Sequence, residues 1–255
     1  MLLALDIGNT NITAGLYDGE TLGPRWRLAT RHHRTADEYG IYLVQLLAYH
    51  GLRPDAISAA VIASVVPPLT GTFVQATQQY LEQQPMVVDG LTKTGVRVLI
   101  DDPTQVGADR IVDAAAAYKL YGGPACIVDF GTATTFDALS VDGDYLGGAI
   151  TPGIAISADA LFQRAAKLPK VDLQRPPSPI GRNTVHAMQS GLLFGYVGLV
   201  EGMITRFRNE LGPDMKVIGT GGLAELIAHE TDVIEHIAPW LTLDGLRLIW
   251  ELNQA

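Results

Sequence analysis

One pattern constrains the fold of this chain more than any other, because it is written twice. LLALDIGNTN ends an apolar run on Asp6, Gly8 and then Asn9, Thr10 and Asn11; CIVDFGTATTF ends another on Asp129, Gly131, Thr132 and Thr134. A hairpin signal follows each, Asp18-Gly19 in the first case and Asp142-Gly143 in the second. Aligning Asp6 with Asp129 gives an offset of 129 − 6 = 123, and aligning Asp18 with Asp142 gives 142 − 18 = 124, so one residue is inserted along the second hairpin. Self-similarity at a fixed offset is the mark of an internal duplication.

The elements between these landmarks repeat as well. LLALDIG, NITAGLYDG and PRWRLAT read as three meandering strands. Thr35-Ala-Asp-Glu38 is a capping box that opens the helix EYGIYLVQLLAYHG, which stops at Gly51. AISAAVIASVV is a near-continuous apolar strand of the kind buried on both faces of a parallel sheet. The helix PPLTGTFVQATQQYLEQ begins on prolines that a first turn tolerates, and PMVVDG is a short strand. The second half gives ACIVDFG, TATTFDALSV and DYLGGAI, a helix around ISADALFQRAAKL, a long apolar helix from Asn183 to about Leu211, the strand MKVIGT and a helix beginning near Gly222. The expectation is an α/β protein made of two copies of one β-β-β-α-β-α-β unit. The Ala-rich helix GADRIVDAAAAYKLYGG is the natural hinge, dividing the chain into residues 1–118 and 119–255.

Composition excludes several classes. With a net charge of −9, the 255-residue chain lacks the basic face that nucleic acid or an anionic membrane requires. Cys126 is the single cysteine, so no intrachain disulfide or Cys-based zinc site can form, and its apolar surroundings read as core. MLLALDIG is too short for a signal segment and carries Asp6, which points to a cytoplasmic protein. The uncharged stretch Ala56–Leu81 is broken by Pro67-Pro68 and reads as strand plus helix rather than a membrane span. In HAMQSGLLFGYVGLVEGMI, Gly191, Gly195, Gly198 and Gly202 recur at spacings of three and four. Each glycine costs a helix about 1 kcal/mol, so close backbone approach at a domain or dimer interface is expected to offset them. A transmembrane dimer fits poorly with Glu201 and the short apolar length.

The chemistry of the twin hairpins is that of a phosphate cradle. Gly8 and Gly131 let backbone approach a ligand, and the hydroxyl and amide residues after them suit polyphosphate oxygens. A carboxylate at each strand end can serve a hydrated metal, since Mg²⁺ keeps several waters and needs only one or two carboxylates beside phosphates. Val106-Gly-Ala-Asp-Arg110 opens the Ala-rich helix; Asp109 there is either a capping charge or a base for an acceptor hydroxyl, with Arg110 against an anion. Val217-Ile-Gly-Thr-Gly-Gly-Leu-Ala224 lacks the full dinucleotide spacing and better suits a base and ribose lying on backbone. Gly90-Leu-Thr-Lys-Thr94 is not a P-loop, because Thr92 stands where glycine is needed before Lys93. The six histidines show no paired metal-ligand spacing.

Taken together, DIGNTN, KTGVRV, PTQVGADRIVDA, IVDFGTATTFD, GGAITPG, NTVHAMQSGLLFGYVGLVEG and GTGGLA resemble the type III pantothenate kinases, members of the acetate-kinase, sugar-kinase, Hsp70 and actin superfamily. The resemblance runs nearly end to end. It implies two duplicated ribonuclease H-like (actin-like ATPase) domains, each a mixed sheet flanked by helices, with the active site in the cleft between them. It also implies transfer of the ATP γ-phosphoryl group to pantothenate, the first step of coenzyme A synthesis. On the family pattern, Asp6, Ile7, Gly8, Asn9, Thr10, Asn11, Ile12, Thr13 and Thr132 hold ATP, with Asp6 reaching Mg²⁺ through water. Asp109 accepts the proton; Gly107, Ala108, Asp109 and Arg110 contact pantothenate; Asp129 binds a monovalent cation, K⁺ or NH₄⁺. Thr184 completes the pocket from a partner subunit, which implies a homodimer. The family's usual Tyr-Asp-Asn-Pro reads Ile100-Asp101-Asp102-Pro103 here, so Ile100 replaces a phenol in the pantothenate pocket and affinity or specificity is the quantity expected to change. Two alternatives share the scaffold: a non-catalytic accessory factor, which the intact Asp6, Asp109 and Asp129 disfavour, and a kinase of another small hydroxylated metabolite.

Overall fold

The computed structural model describes residues 1–254. They divide into two compact units, one formed by Met1–Val96, Asp101–Ala116 and the stretch from Leu241 onward, the other by Arg97–Ile100 and Ala117–Trp240.

The first unit is a five-stranded sheet in the order β3-β2-β1-β4-β5. Strands β1 (Leu2–Ile7), β2 (Asn11–Asp18) and β3 (Thr21–Ala29) form an antiparallel meander; β4 (Ala59–Ser64) runs parallel to β1, and β5 (Met86–Val87) parallel to β4. A central strand flanked on both sides must be apolar on both faces. Leu2, Leu3, Ala4, Leu5 and Ile7 of β1 are accordingly all buried. Helix α1 (Ala36–Tyr49) starts at the expected capping box, with Thr35 accepting from the Glu38 N–H and Glu38 accepting from the Thr35 N–H. Both α1 and α2 (Pro67–Leu81) close the core, where Tyr39, Leu43 and Leu47 meet Leu69, Phe73 and Ala76.

Two further helices enter this unit. Helix α3 (Ala108–Tyr121) is the expected Ala-rich helix, its residues up to Ala116 lying in this unit and the remainder in the other. Helix α7 (Leu241–Leu252) packs on β1, β2 and β4 through Leu241, Leu243, Leu246 and Ile249, and the sequence signals did not foresee it.

The second unit repeats the topology. Strands β6 (Ala125–Phe130), β7 (Ala133–Leu139) and β8 (Tyr145–Pro152) form the meander, β9 (Lys216–Thr220) runs parallel to β6, and β10 (His236–Ile237) parallel to β9. The sheet order β10-β9-β6-β7-β8, taken from its other edge, is the order of the first sheet, so the duplication is structural. The strand pairing does not show a single inserted residue; it shows two changes that cancel. Between the last paired residues Ile7 and Ile12 the turn holds residues 8–11, but between Phe130 and Thr134 only residues 131–133, one fewer. Between Tyr17 and Leu22 lie residues 18–21, but between Leu139 and Tyr145 residues 140–144, one more.

Helices α4 (Ile154–Arg164), α5 (Thr184–Leu211) and α6 (Ala224–Ala228) complete this unit. Helix α5 begins where expected, and Asn183 caps it, its side chain accepting from the His186 N–H. By length and composition α5 could cross a membrane, but half of its most apolar stretch is buried inside the protein, where Leu193, Tyr196, Val197, Val200 and Ile204 form the core. The expected close approach along its glycines is not made among the described residues: a Cβ on Gly191, Gly195 or Gly198 would meet nothing within 4 Å. Cys126 is a core residue, and burial first, then the charge of Asp137, pushes its thiol far above the ordinary range.

Candidate active site

In the first unit the site is built from the ends of two parallel strands. Asp6 stands near the end of β1, paired with Thr13 across β2 and with Ala63 across β4. The turn beyond it closes with the Gly8 N–H donating to Asn11 O at 3.0 Å, leaving Asn9, Thr10 and Asn11 exposed. Ile7 and Ile12 are fully buried, so these two expected ATP-binding residues offer backbone only while their side chains anchor the hairpin in the core.

The Gly107–Arg110 block reaches the same strand end. A Cβ on Gly107 would lie 3.4 Å from Val65 Cγ1, and the Val65 N–H donates to Ile7 O at 3.1 Å. Asp109 sits in the first turn of α3 with its Oδ1 accepting from the Arg110 N–H at 2.8 Å, which fixes the rotation of the carboxylate. The same Oδ1 lies 2.5 Å from a Cβ placed on Gly107, so a side chain there would displace the proposed base. Upstream, Asp102 caps a short 3₁₀ turn (Pro103–Gln105) by accepting from the Thr104 N–H and hydroxyl and from Gln105 Nε2. The Thr104 hydroxyl first, then Gln105, hold its carboxyl below the ordinary aspartate value.

The second unit holds Ile100, Asp129, Thr132 and Thr184. Asp129 ends β6 opposite Thr135 of β7 and Thr220 of β9. Two glycines hem in its carboxylate: a Cβ on Gly131 would lie 3.2 Å from Oδ2, and one on Gly221 2.3 Å from Oδ1. Gly221, in the turn after β9, also has φ +87°, so both conformation and space require glycine there. The VIGTGGLA turn therefore packs against the Asp129 carboxylate. Thr132 is exposed in the turn after β6, and Thr184 is the exposed first residue of α5.

Ile100 ends a segment fastened to the edge of β8. Arg97 grips Asp144 with two contacts of 2.7 Å, the Leu99 N–H donates to Tyr145 O and the Tyr145 N–H to Arg97 O, each at 2.8 Å. This brings Ile100 Cγ2 to 3.4 Å from a Cβ built on Gly147. Sequence patterns missed two residues that touch the hairpins directly, Thr30 and Gly153. Thr30 donates its hydroxyl to Gly8 O at 2.7 Å, and Gly153 abuts the carbonyls of Gly131 and Thr132. A residue just past a strand's end carries no local mark of what it will touch.

A duplicated β-β-β-α-β-α-β unit with a carboxylate and glycine turn at each first strand places the chain in the actin-like ATPase-fold class. Solved structures agree on the fold: a Baf family protein from Campylobacter jejuni, described as a transcriptional activator, superposes with a TM-score of 0.65 at 20% identity over 99% of this chain and 98% of its own. An inorganic polyphosphate/ATP-glucomannokinase from Arthrobacter sp. strain KM gives 0.51 at 15% identity, covering 99% and 98%. The family model for type III pantothenate kinase matches residues 2–206. Type III pantothenate kinases from Roseiflexus sp. (strain RS-1) and Myxococcus xanthus (strain DK1622) are 53% and 51% identical, each over 100% of both chains. The chain belongs to the type III pantothenate kinase family, whose members are ATP-dependent kinases.

Proposed function

We propose that this chain transfers the γ-phosphoryl group of ATP to the primary hydroxyl of pantothenate, giving 4′-phosphopantothenate. The observation that carries the assignment of roles is the placement of Asp109: it is fixed in the first turn of α3 beside Gly107, which packs on Val65, itself bonded to the end of the strand bearing Asp6. Asp109 orients the acceptor hydroxyl and takes its proton late, which asks only for an ordinary carboxylate in a loose transition state. Gly107, Ala108 and Arg110 hold the pantothenate carboxylate and amide, and Ile100 lines its pocket with an aliphatic side chain in place of the family phenol. Asn9, Thr10, Asn11 and Thr132, exposed on the two hairpins, hold phosphate oxygens, with the backbone from Asp6 to Thr13 beneath them.

The donor set fits the cations the family uses. Asp6, half-buried at a strand end beside exposed polar residues, suits a hydrated Mg²⁺. Asp129, hemmed in by Gly131 and Gly221, suits a K⁺ or NH₄⁺ ion. Bound there, the cations supply charge neutralisation at the phosphates.

Thr184 acts in the partner's pocket, and the open glycine face of α5 supports a homodimer. The repeat in the sequence runs over residues 1–118 and 119–255, although Arg97–Ile100 fold with the second unit and the stretch from Leu241 with the first; the protein is cytoplasmic, and its net charge of −9 supports neither a nucleic-acid nor a membrane partner. A coupled assay tests the reading: wild type with Mg²⁺-ATP and K⁺ should release ADP only when pantothenate is present, and Asp109→Asn should lower kcat by about 10²- to 10⁴-fold with an unchanged circular dichroism spectrum. Absence of pantothenate-dependent ADP release, or a full rate in Asp109→Asn, would overturn it.

A further inference from the structure

The two hairpins are braced from behind at one equivalent position, by different means. Equivalence follows from register: Asn11 pairs with Ala29 and Ala133 with Pro152, so Thr30 and Gly153 are each the next residue along. In the first copy the Thr30 hydroxyl donates to Gly8 O at 2.7 Å and the Thr30 N–H to Thr10 O at 2.9 Å. The brace is anchored in turn. The Arg31 N–H donates to the Tyr39 hydroxyl, which donates to Arg31 O, both at 3.1 Å, and Tyr39 is wholly buried in α1. In the second copy position 153 has no side chain, and the backbone itself makes the contact: a Cβ there would lie 2.3 Å from Thr132 O and 2.9 Å from Gly131 O. Gly153 has φ −64°, so space and not backbone conformation demands glycine.

Because a peptide unit is planar and trans, fixing a carbonyl fixes the following N–H antiparallel to it. Thr30 therefore sets the N–H of Asn9 and Asn11 through the carbonyls of Gly8 and Thr10, and Gly153 sets those of Thr132 and Ala133 through Gly131 and Thr132. Donors held in place before the ligand arrives do not pay to reorganise when it binds. We propose that Thr30 and Gly153 are equivalent positioning residues, each orienting the backbone of the phosphate hairpin in its own unit. This deepens the reading that residues 6–13 and Thr132 hold ATP and rests on it. The first brace is a removable hydrogen bond, and the second is a contact that admits no side chain.

Steady-state kinetics of Thr30→Val, Thr30→Ala, Thr30→Ser and Gly153→Ala, with Asp6→Asn as the control on the hairpin itself, test the proposal. Thr30→Val keeps the shape and deletes the hydroxyl. It should raise the KM for ATP about tenfold, the scale of one lost hydrogen bond, while the KM for pantothenate stays within about twofold, and Thr30→Ser should restore the ATP value. Gly153→Ala should raise the KM for ATP at least as much. An unchanged ATP KM in Thr30→Val and Thr30→Ala overturns the proposal, as does a parallel rise in both KM values, a failure of Thr30→Ser to rescue, or misfolding of both the Val and Ala variants, which would make Thr30 merely structural. If Asp6→Asn also leaves ATP use intact, the assignment of the hairpin fails; if Asp6→Asn abolishes it and Thr30→Val does not change it, only the brace fails.

Discussion

Asp102 illustrates how a single side chain shapes the segment that leads into α3. Its carboxylate gathers Thr104 and Gln105 into the turn that hands the chain to Gly107–Arg110, and those donors lower its pKa from the ordinary 3.8. A depressed aspartate contributes stability that is present above its unfolded value and is lost as pH falls through its folded one. The turn should therefore loosen below about pH 4, seen as a falling protection factor of the Thr104 amide, its exchange taken relative to the intrinsic rate at each pH. Asp102→Asn keeps an oxygen for the Thr104 N–H and should abolish this acid dependence; protection that falls equally in both proteins would refute the role. At this scale the sequence marks carboxylates by type and position, which is how Asp6, Asp109 and Asp129 come forward as candidates. It gave Gly153 no role beyond ending the GGAITPG motif and was silent at Thr30, whose hydrogen-bond partner Gly8 lies 22 residues earlier.

Elements were legible in proportion to how local their signals are. The capping box at Thr35 and the cap at Asn183 start α1 and α5 where the sequence places them, because a cap is decided within four residues. By contrast α7, though amphipathic, owes its place to contacts with strands some two hundred residues earlier, which no local pattern encodes. Its lock is specific: the Tyr17 hydroxyl donates to Asp244 Oδ1 at 2.6 Å, while Arg247 lies 5.6 Å from the Tyr17 ring and grips Glu251. Removing the hydroxyl in Tyr17→Phe should cost about 1 kcal/mol in urea unfolding at neutral pH. Burial first, then the bond to Asp244, raises the Tyr17 pKa well above its ordinary 10.0. A group raised in the folded state stabilises below its unfolded pKa and ceases to do so as pH rises beyond it. The gap between wild type and Tyr17→Phe should thus hold constant up to about pH 10 and shrink above it; a gap independent of pH there would show that the hydroxyl is not locked as described.

At the scale of the molecule, duplication explains why one chain carries two hairpins, and the glycines of α5 raise the question of what lies beyond the chain. Gly191, Gly195 and Gly198 are exposed, and a Cβ at any of them meets nothing within 4 Å. Left in solvent, each would be a simple loss of about 1 kcal/mol of helix stability. The two possibilities separate in sign. For a monomer, Gly195→Ala should stabilise by about that amount with a melting temperature independent of concentration. In a dimer packed along this face, the added methyl group separates the helices, so the same substitution should lower the melting temperature and make it depend on concentration. We expect the second outcome, with wild type sedimenting near 2 × 27.3 = 54.6 kDa. Gly195→Leu should then sediment as a monomer and lose affinity for pantothenate together with its partner's Thr184. Thr184→Ala should remain a dimer and raise only the KM for pantothenate. A wild-type monomer stabilised by Gly195→Ala would remove both the interface and the cross-subunit role of Thr184.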